Sequence, residues 1–177
     1  METENKHSDV SPPITHIASQ ISFRIIAAAT SIAAACFMFN SRQSKMLYGT
    51  NMDARYTYSP AFKFFTMMNV VACGCSVLSL LPVFAIGRTF TNSVNFFFLF
   101  LHDLTIAMLL AGGTGAATTV AQVGKFGNNH AGWMPICDNF GKFCHKVAWS
   151  LIFGYMALFC YLVLVVLSAY KARQIQV

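Results

Sequence analysis

Four long apolar runs, separated by shorter polar segments, dominate the chain. Each run is close to or above the 20 residues that a helix needs to cross a hydrocarbon core. The pattern predicts an all-α protein, a four-helix up-down bundle in a membrane. The membrane domain covers 21–172, with a polar, disordered tail at 1–20 and a short tail at 173–177. The four predicted spans are approximately Ile21–Phe39, Phe64–Ile86, Val94–Val120 and Val147–Tyr170.

The composition narrows the class of protein further. Of the 177 residues, 56% are hydrophobic and 10% are charged, and the mean hydropathy is +0.55. Soluble domains have about 25% charged residues, so a soluble protein is excluded. The net charge of +6 comes from lysines and arginines in loops and at span ends. They form no clustered basic face, so nucleic acid is not an expected partner. The polar character of the N-terminal segment is not what a cleavable signal peptide would show, so we do not expect one there.

Two opposite charges lie inside predicted spans: Arg24 in the first and Asp103 in the third. An ionisable side chain is expensive in lipid unless it is paired. In an up-down bundle the first and third spans run in the same direction, and the two residues lie within about one turn of the same depth. We therefore predict an Arg24–Asp103 ion pair. The alternative is an Arg24 side chain that extends to the headgroups from the end of its helix.

Small residues accompany both charges at helical spacing. Such residues allow close helix packing in membranes. In the third span a Gly/Ala-rich run offers contacts either within the bundle or between protomers, and internal packing is the preferred interpretation. The predicted packing residues are Ala28, Ser31, Ala35, Ala107, Gly113, Gly115 and Ala117.

The polar loop Ala121–Lys146 holds two cysteines, Cys137 and Cys144. A disulfide between them requires an oxidising compartment. Free thiols are a second interpretation. A zinc site with His130 and His145 is a third, although the spacing matches no familiar zinc motif.

Charge counting does not agree with a cytoplasmic location of both termini. In that orientation the outer segments carry more basic residues than the inner ones, against the positive-inside tendency. The outer residues are Arg42, Lys45, Arg55, Lys63, Lys125, Lys142 and Lys146, and the inner ones are Lys6, Arg88, Lys171 and Arg173.

Several segments resemble the plant Casparian strip membrane domain protein-like family, over about residues 20–172. They are RIIAAATSIAAACFMFNSRQSK, YSPAFKFF, HDLTIAMLLAGGTGAATTVAQVGKFGN and AGWMPICDNFGKFCHKVAWS. The resemblance implies a four-span, MARVEL-like tetraspan fold with both termini cytoplasmic. The family's first-span arginine and third-span aspartate match Arg24 and Asp103. Its second outer loop has cysteines that match Cys137 and Cys144, which favours an extracellular disulfide.

The resemblance also implies a function. Founding members form homo- and hetero-oligomeric platforms in the plasma membrane and recruit proteins that modify the cell wall. The segment Asn40–Ala61 lacks their short loop signature, so platform formation is the property that we carry over. We therefore expect a non-enzymatic scaffold that has no cofactor or metal. Its expected partners are the lipid bilayer, further copies, related members and, through the outer loops, cell-wall-modifying proteins.

A small channel or transporter subunit that uses Arg24 and Asp103 is the alternative function. The absence of broken-helix repeats and of further charges along a path weighs against it. An enzyme is disfavoured because His102 is the only histidine within a predicted span, and no C-x-x-C motif is present at a span end.

Overall fold

A computed structural model describes residues 14–47, 49–88 and 93–176, and its described part is mainly helical. The helices are α1 (Ile14–Phe39), α2 (Pro60–Arg88), α3 (Ser93–Phe126) and α4 (Gly141–Gln176). Between α1 and α2 lie strands β1 (Arg42–Leu47) and β2 (Thr50–Arg55), followed by a 3-10 turn at Tyr56–Tyr58.

The four helices form a closed bundle, in which each helix packs against its neighbours in sequence and α1 also packs against α4. Each contains a stretch long and apolar enough to cross a membrane: Ile17–Phe39, Pro60–Leu81, Phe97–Phe126 and Gly141–Lys171. About two thirds of the residues in each stretch are not buried within the chain. The protein is therefore a multi-pass membrane bundle with an apolar exterior, as the hydrophobic pattern predicts.

Helix boundaries differ from the predicted ones at both ends of the chain. The first helix begins at Ile14, so residues 14–20 are helical and do not belong to a disordered tail. Residues 1–13, the rest of that predicted tail, lie outside the described residues. The fourth helix begins at Gly141 and continues to Gln176, through most of the second predicted tail. Hydropathy located the apolar cores of the helices, but the helices continue beyond these apolar stretches.

A phenylalanine of α2 occupies the centre of one half of the bundle. Phe65 is fully buried. A Cβ atom added at Gly113 would lie 3.3 Å from the Phe65 Cα, and one at Gly154 would lie 2.6 Å from the ring. The absence of a side chain at Gly113 and at Gly154 therefore allows α2 to pack closely against α3 and α4. Small residues commonly have this role at helix interfaces in membranes.

The segment between α1 and α2 contains a β-hairpin that the sequence analysis did not predict. Its strands pair antiparallel from Arg42–Arg55 to Leu47–Thr50. Gly49 has φ 79° in the two-residue turn, a conformation that favours glycine. The Gln43 side-chain oxygen accepts a hydrogen bond from the Phe143 backbone N–H at 3.0 Å. This bond satisfies one of the free N–H groups in the first turn of α4 and fixes the hairpin to the bundle.

The loop between α3 and α4 lies at the same end as the hairpin. The Lys146 ammonium group in the first turns of α4 donates to the Asn40 carbonyl oxygen at 2.9 Å, at the end of α1. The hairpin and the α3–α4 loop therefore share one end of the bundle, and the start of α1 and the end of α4 lie at the other.

Candidate functional site

The structure places Arg24 and Asp103 in contact within the bundle. The two terminal nitrogens of the guanidinium group donate to the two carboxylate oxygens, at 3.0 Å and 2.7 Å. Neither side chain has any exposed surface. This two-bond geometry is the strongest form of an arginine–carboxylate contact, and it holds α1 against α3.

The helix starts explain why the two side chains meet. Arg24 lies ten residues after Ile14, where α1 begins, and Asp103 lies ten residues after Ser93, where α3 begins. At 1.5 Å per residue both are about 15 Å from the start of their helices. Measured from the apolar stretch, which begins at Ile17, Arg24 lies seven residues in, about two turns rather than the predicted one. Because its side chain is fully buried against Asp103, it does not extend to the headgroups.

A chain of hydrogen bonds connects the ion pair to the other two helices. Arg24 also donates to the Ser79 hydroxyl at 2.6 Å, and Ser79 donates to the Ser76 carbonyl at 2.9 Å. The Ser76 and Tyr161 hydroxyls are 2.7 Å apart, and the Tyr161 hydroxyl donates to the Ala72 carbonyl at 2.7 Å. The resulting polar network joins α1, α2, α3 and α4 through buried groups.

His102 is a further neighbour of the carboxylate. Its Nδ1 atom is 3.2 Å from an Asp103 carboxylate oxygen, and its side chain is 37% exposed at the bundle surface. Consecutive residues of a helix point about 100° apart, so the imidazole contacts the carboxylate from the partly exposed side of α3.

The packing residues of the first span lie at the interior of the bundle as expected. Ser31 and Ala35 are buried and Ala28 is partly buried. In α3, Ala107, Gly113 and Ala117 are buried as well. They belong to the same face as Asp103, which follows the predicted stripe.

Gly115 is the exception. It is exposed, and nothing within 4 Å would meet a Cβ atom there. At 100° per residue Gly115 lies about 120° around the helix from Asp103, away from the other helices. The expectation that it makes a close helix–helix contact is therefore wrong within the chain.

The cysteines of the α3–α4 loop, Cys137 and Cys144, form a disulfide with 5.7 Å between their Cα atoms. The zinc alternative for this loop requires the same two sulfur atoms, so it does not apply to this structure. No group of three or more potential ligand side chains converges among the described residues.

The loop is fixed to the end of α3 by backbone bonds. Gly127 ends that helix with φ 70°, and its N–H donates to the Val123 carbonyl at 2.8 Å, as in a left-handed helix cap. The Gly124 carbonyl accepts the N–H groups of Ile136 and Cys137 at 2.8 Å and 3.1 Å. The disulfide therefore connects an anchored loop to the start of α4.

Ser76, Ser79 and Tyr161 were not predicted as members of the polar network. The signal was present: Ala72, Ser76 and Ser79 are four and three residues apart, which places them on one face of α2. Polar side chains within membrane spans usually face the bundle interior. This tendency identifies the buried face of α2, but it does not show which of the two serine hydroxyls accepts the hydrogen bond from Arg24.

The fold and the buried pair define a class: a four-helix multi-pass membrane protein whose helices are joined by an internal arginine–aspartate contact. Residues 15–160 match the Casparian strip membrane protein domain, and the chain belongs to this family. It is 45% identical to CASP-like protein 1F1 of Vitis vinifera over 94% of the chain and 82% of that relative. It is 44% identical to CASP-like protein 1F2 of Populus trichocarpa over 99% of both. No solved structure matches the chain.

Proposed function

We propose that this protein is a non-enzymatic scaffold of the plasma membrane. It self-associates, and associates with related family members, to organise a membrane domain at the cell-wall interface. The hairpin and the disulfide loop face the wall, where they meet cell-wall-modifying proteins, and both termini are cytoplasmic. Family membership supports this proposal, and the surface of α3 supplies a means of self-association.

The observation that carries the proposal is the small-residue face that α3 turns away from the bundle. Ala111, Gly112 and Gly115 are all exposed. A Cβ atom at Gly115 would meet nothing within 4 Å, and one at Gly112 would only reach the Phe64 ring at 4.0 Å. Ala111 and Gly115 have the small-xxx-small spacing that allows two membrane helices to approach closely. A second protomer is the partner that this unused face fits best.

The disulfide supports the orientation. Disulfides persist in oxidising compartments and are rare in the cytosol. The Cys137–Cys144 bond therefore favours an extracellular position for its end of the bundle, and hence cytoplasmic termini at the other end. The count of basic residues is weaker evidence for orientation than the disulfide, because several of those residues have structural partners at the loop end. Lys146 binds the end of α1, and Arg55 pairs with Asp53.

The geometry of the ion pair weighs against transport. A permeation or proton site needs a charged group that water or substrate can reach. Both charged side chains are fully buried, and each engages the other through two hydrogen bonds. Proteoliposomes that contain the wild type are therefore expected to show the same proton leak as protein-free liposomes. A leak that depends on Asp103 would favour the transporter function instead.

Gly115→Leu is the decisive variant for self-association. A leucine here projects from the bundle surface, so the monomer should fold normally while close approach of a second copy is blocked. Gly74→Leu on α2 is the matched control, because Gly74 is also exposed with nothing within 4 Å. Both variants should reach the cell surface at wild-type levels.

The measurements are the number of subunits per particle, by single-molecule photobleaching, and the lateral mobility of the protein in a plant plasma membrane. We expect Gly115→Leu to shift the particles towards monomers and to raise the mobile fraction, whereas Gly74→Leu behaves as wild type. Wild-type assembly and mobility of Gly115→Leu would refute the proposed interface. A freely mobile wild-type protein would refute the scaffold function.

A further inference from the structure

A groove lies between the end of α3 and the start of α4, beneath the disulfide loop. Its volume is about 400 Å³, within the range of about 300–1,000 Å³ that is typical of small-molecule sites. Phe62 of α2 forms its floor together with Phe143, Val147 and Leu151 of α4, and the disulfide borders it. These walls are apolar, as expected of a site for a hydrophobic chain.

The polar groups of the groove are concentrated towards the loop end of α3. Lys125 lies in the last turn of this helix, at the boundary of the apolar stretch Phe97–Phe126. Its ammonium group lies 5.1 Å from the centre of the Phe126 ring, and the side chain is exposed. Gln122, one turn earlier, also borders the groove. A lysine at the end of a membrane-length apolar stretch is expected at the level of the lipid headgroups, where its charge can attract a phosphate group.

We propose that this groove binds one phospholipid from the leaflet on the disulfide side. An acyl chain lies between α3 and α4, and the headgroup phosphate contacts the Lys125 ammonium group. The α3 part of the groove runs from Thr118 to Phe126, which corresponds to a depth of about 12 Å. An apolar body below a single cation thus matches a lipid with an acidic headgroup. The inference does not depend on which side of the membrane the loop occupies.

A second groove at the same end provides an internal comparison. It also has a volume of about 400 Å³, but lies beside α1 and α2 and is not bordered by the disulfide loop. Its lining residues are Phe39, Tyr56, Thr57, Lys63, Thr66, Met67, Val70 and Val71. A substitution confined to the α3–α4 groove should leave lipid contacts at this second groove unchanged.

Photoactivatable lipids in nanodiscs test the proposal with the full chain. One probe is a phosphatidic acid with a diazirine in its acyl chain, and the other is the diacylglycerol with the same chains. Labelled positions are identified by peptide mass spectrometry. Ala148→Phe fills the groove, since Ala148 lines it and is exposed. Ala29→Phe is the matched control, because Ala29 is an exposed alanine of α1 that borders neither groove.

We expect phosphatidic acid to label the α3–α4 groove of the wild type about tenfold more strongly than diacylglycerol does, as about 1.4 kcal/mol of headgroup binding would give. Ala148→Phe should lower this labelling without changing the second groove, and Ala29→Phe should change neither. Lys125→Gln should remove the preference for phosphatidic acid but keep the acyl-chain contact.

Equal labelling of the wild type by the two probes would overturn the proposal. So would undiminished labelling of Ala148→Phe, or a similar loss in Ala29→Phe, which would indicate general contact with bulk lipid. Lys125→Gln leaves the packed core unchanged, so it tests the headgroup contact even if Ala148→Phe is poorly folded. Retained headgroup preference in Lys125→Gln would refute the assigned phosphate contact.

Discussion

Neutralising either member of the buried pair leaves its partner charged in an apolar interior. Asp103→Asn keeps the shape of the side chain, and Arg24→Met keeps most of the unbranched stem while removing the guanidinium group. Because both side chains are fully buried, water cannot replace the missing partner. Removal of one partner from a buried pair typically costs about 3–5 kcal/mol, so we expect each single variant to lose stability in this range.

The double variant separates pairing from simple loss of contacts. With both charges removed, no unpaired ion remains, and the total loss should be smaller than the sum of the two single losses. Neighbours in one polar network typically show coupling energies of about 0.5–3 kcal/mol, and we expect a value near the upper limit for two hydrogen-bonded charges. On the scale of a 150–250-residue domain, each single loss corresponds to a midpoint lowered by roughly 6–20 °C.

Thermal unfolding in detergent and surface delivery in cells are the assays. The chain also offers a matched control in the Asp53–Arg55 pair, whose atoms are 3.0 Å apart but whose side chains are 30% and 52% exposed. Exposed pairs contribute about 0–1 kcal/mol. The same two substitutions made there, Asp53→Asn and Arg55→Met, should therefore have small and nearly additive effects.

Strict additivity at Arg24 and Asp103 would refute the reasoning. A mild effect of Arg24→Met that does not depend on residue 103 would do the same, because it would indicate that the Arg24 guanidinium group is solvated without help from Asp103. Coupling at the buried pair together with additivity at the exposed pair is the combination that the geometry predicts.

Two further expectations concern packing and the disulfide. Gly154→Ala should lower the unfolding midpoint, because its Cβ atom would lie 2.6 Å from the Phe65 ring. Gly74→Ala is the control and should leave the midpoint unchanged, because nothing lies within 4 Å of the added Cβ atom. Equal midpoints of the two variants would contradict the assigned contact at Gly154. Replacing Cys137 and Cys144 together by serine should lower the free energy of unfolding by about 2 kcal/mol, as the entropy of closing a short loop predicts. Unchanged thermal unfolding of this double variant would show that the loop is held by its backbone hydrogen bonds alone.

The cost of a lone charge in lipid made the ion pair predictable from the sequence. Arg24 and Asp103 stand out because their surroundings are apolar, and the up-down order of the spans sets them at comparable depth. The buried stripe of α3 was predictable for a related reason, since helical periodicity alone places Ala107 and Ala117 beside Asp103. Both predictions need only the hydropathy and periodicity of single helices, together with the up-down order of the spans.

Features that depend on the mutual rotation of helices were not predictable in this way. Gly113 and Gly115 are both glycines and lie two positions apart in α3, yet Gly113 is buried and Gly115 is exposed. Helical periodicity already places Gly115 about 120° from Asp103, but only the packing of α2 against α3 determines that Gly113 meets Phe65. In the same way, the hydrogen bond from Arg24 to Ser79 depends on the rotation of α2.

The hairpin was missed because its strands carry little of the usual strand signal. The sequence RQSKML of β1 contains no β-branched or aromatic residue, and β2 has a single buried position. Its position depends on long-range contacts such as the Gln43 bond to α4, across 100 residues. Local propensity contains no information about such contacts.

The separation of the paired charges along the chain has a consequence for biosynthesis. Asp103 follows Arg24 by 79 residues, so at 5–20 residues per second roughly 4–16 s of translation pass before the partner exists. During this interval α1 carries an uncompensated arginine, at a cost of about 2.5–3.5 kcal/mol for a residue at the centre of a span. The helices α1 and α2 can already pack together at this stage, with Arg24 donating to Ser79, but the carboxylate that compensates the charge arrives only with α3. A nascent chain that stops before α3 therefore keeps a cation without its counter-ion within its first span.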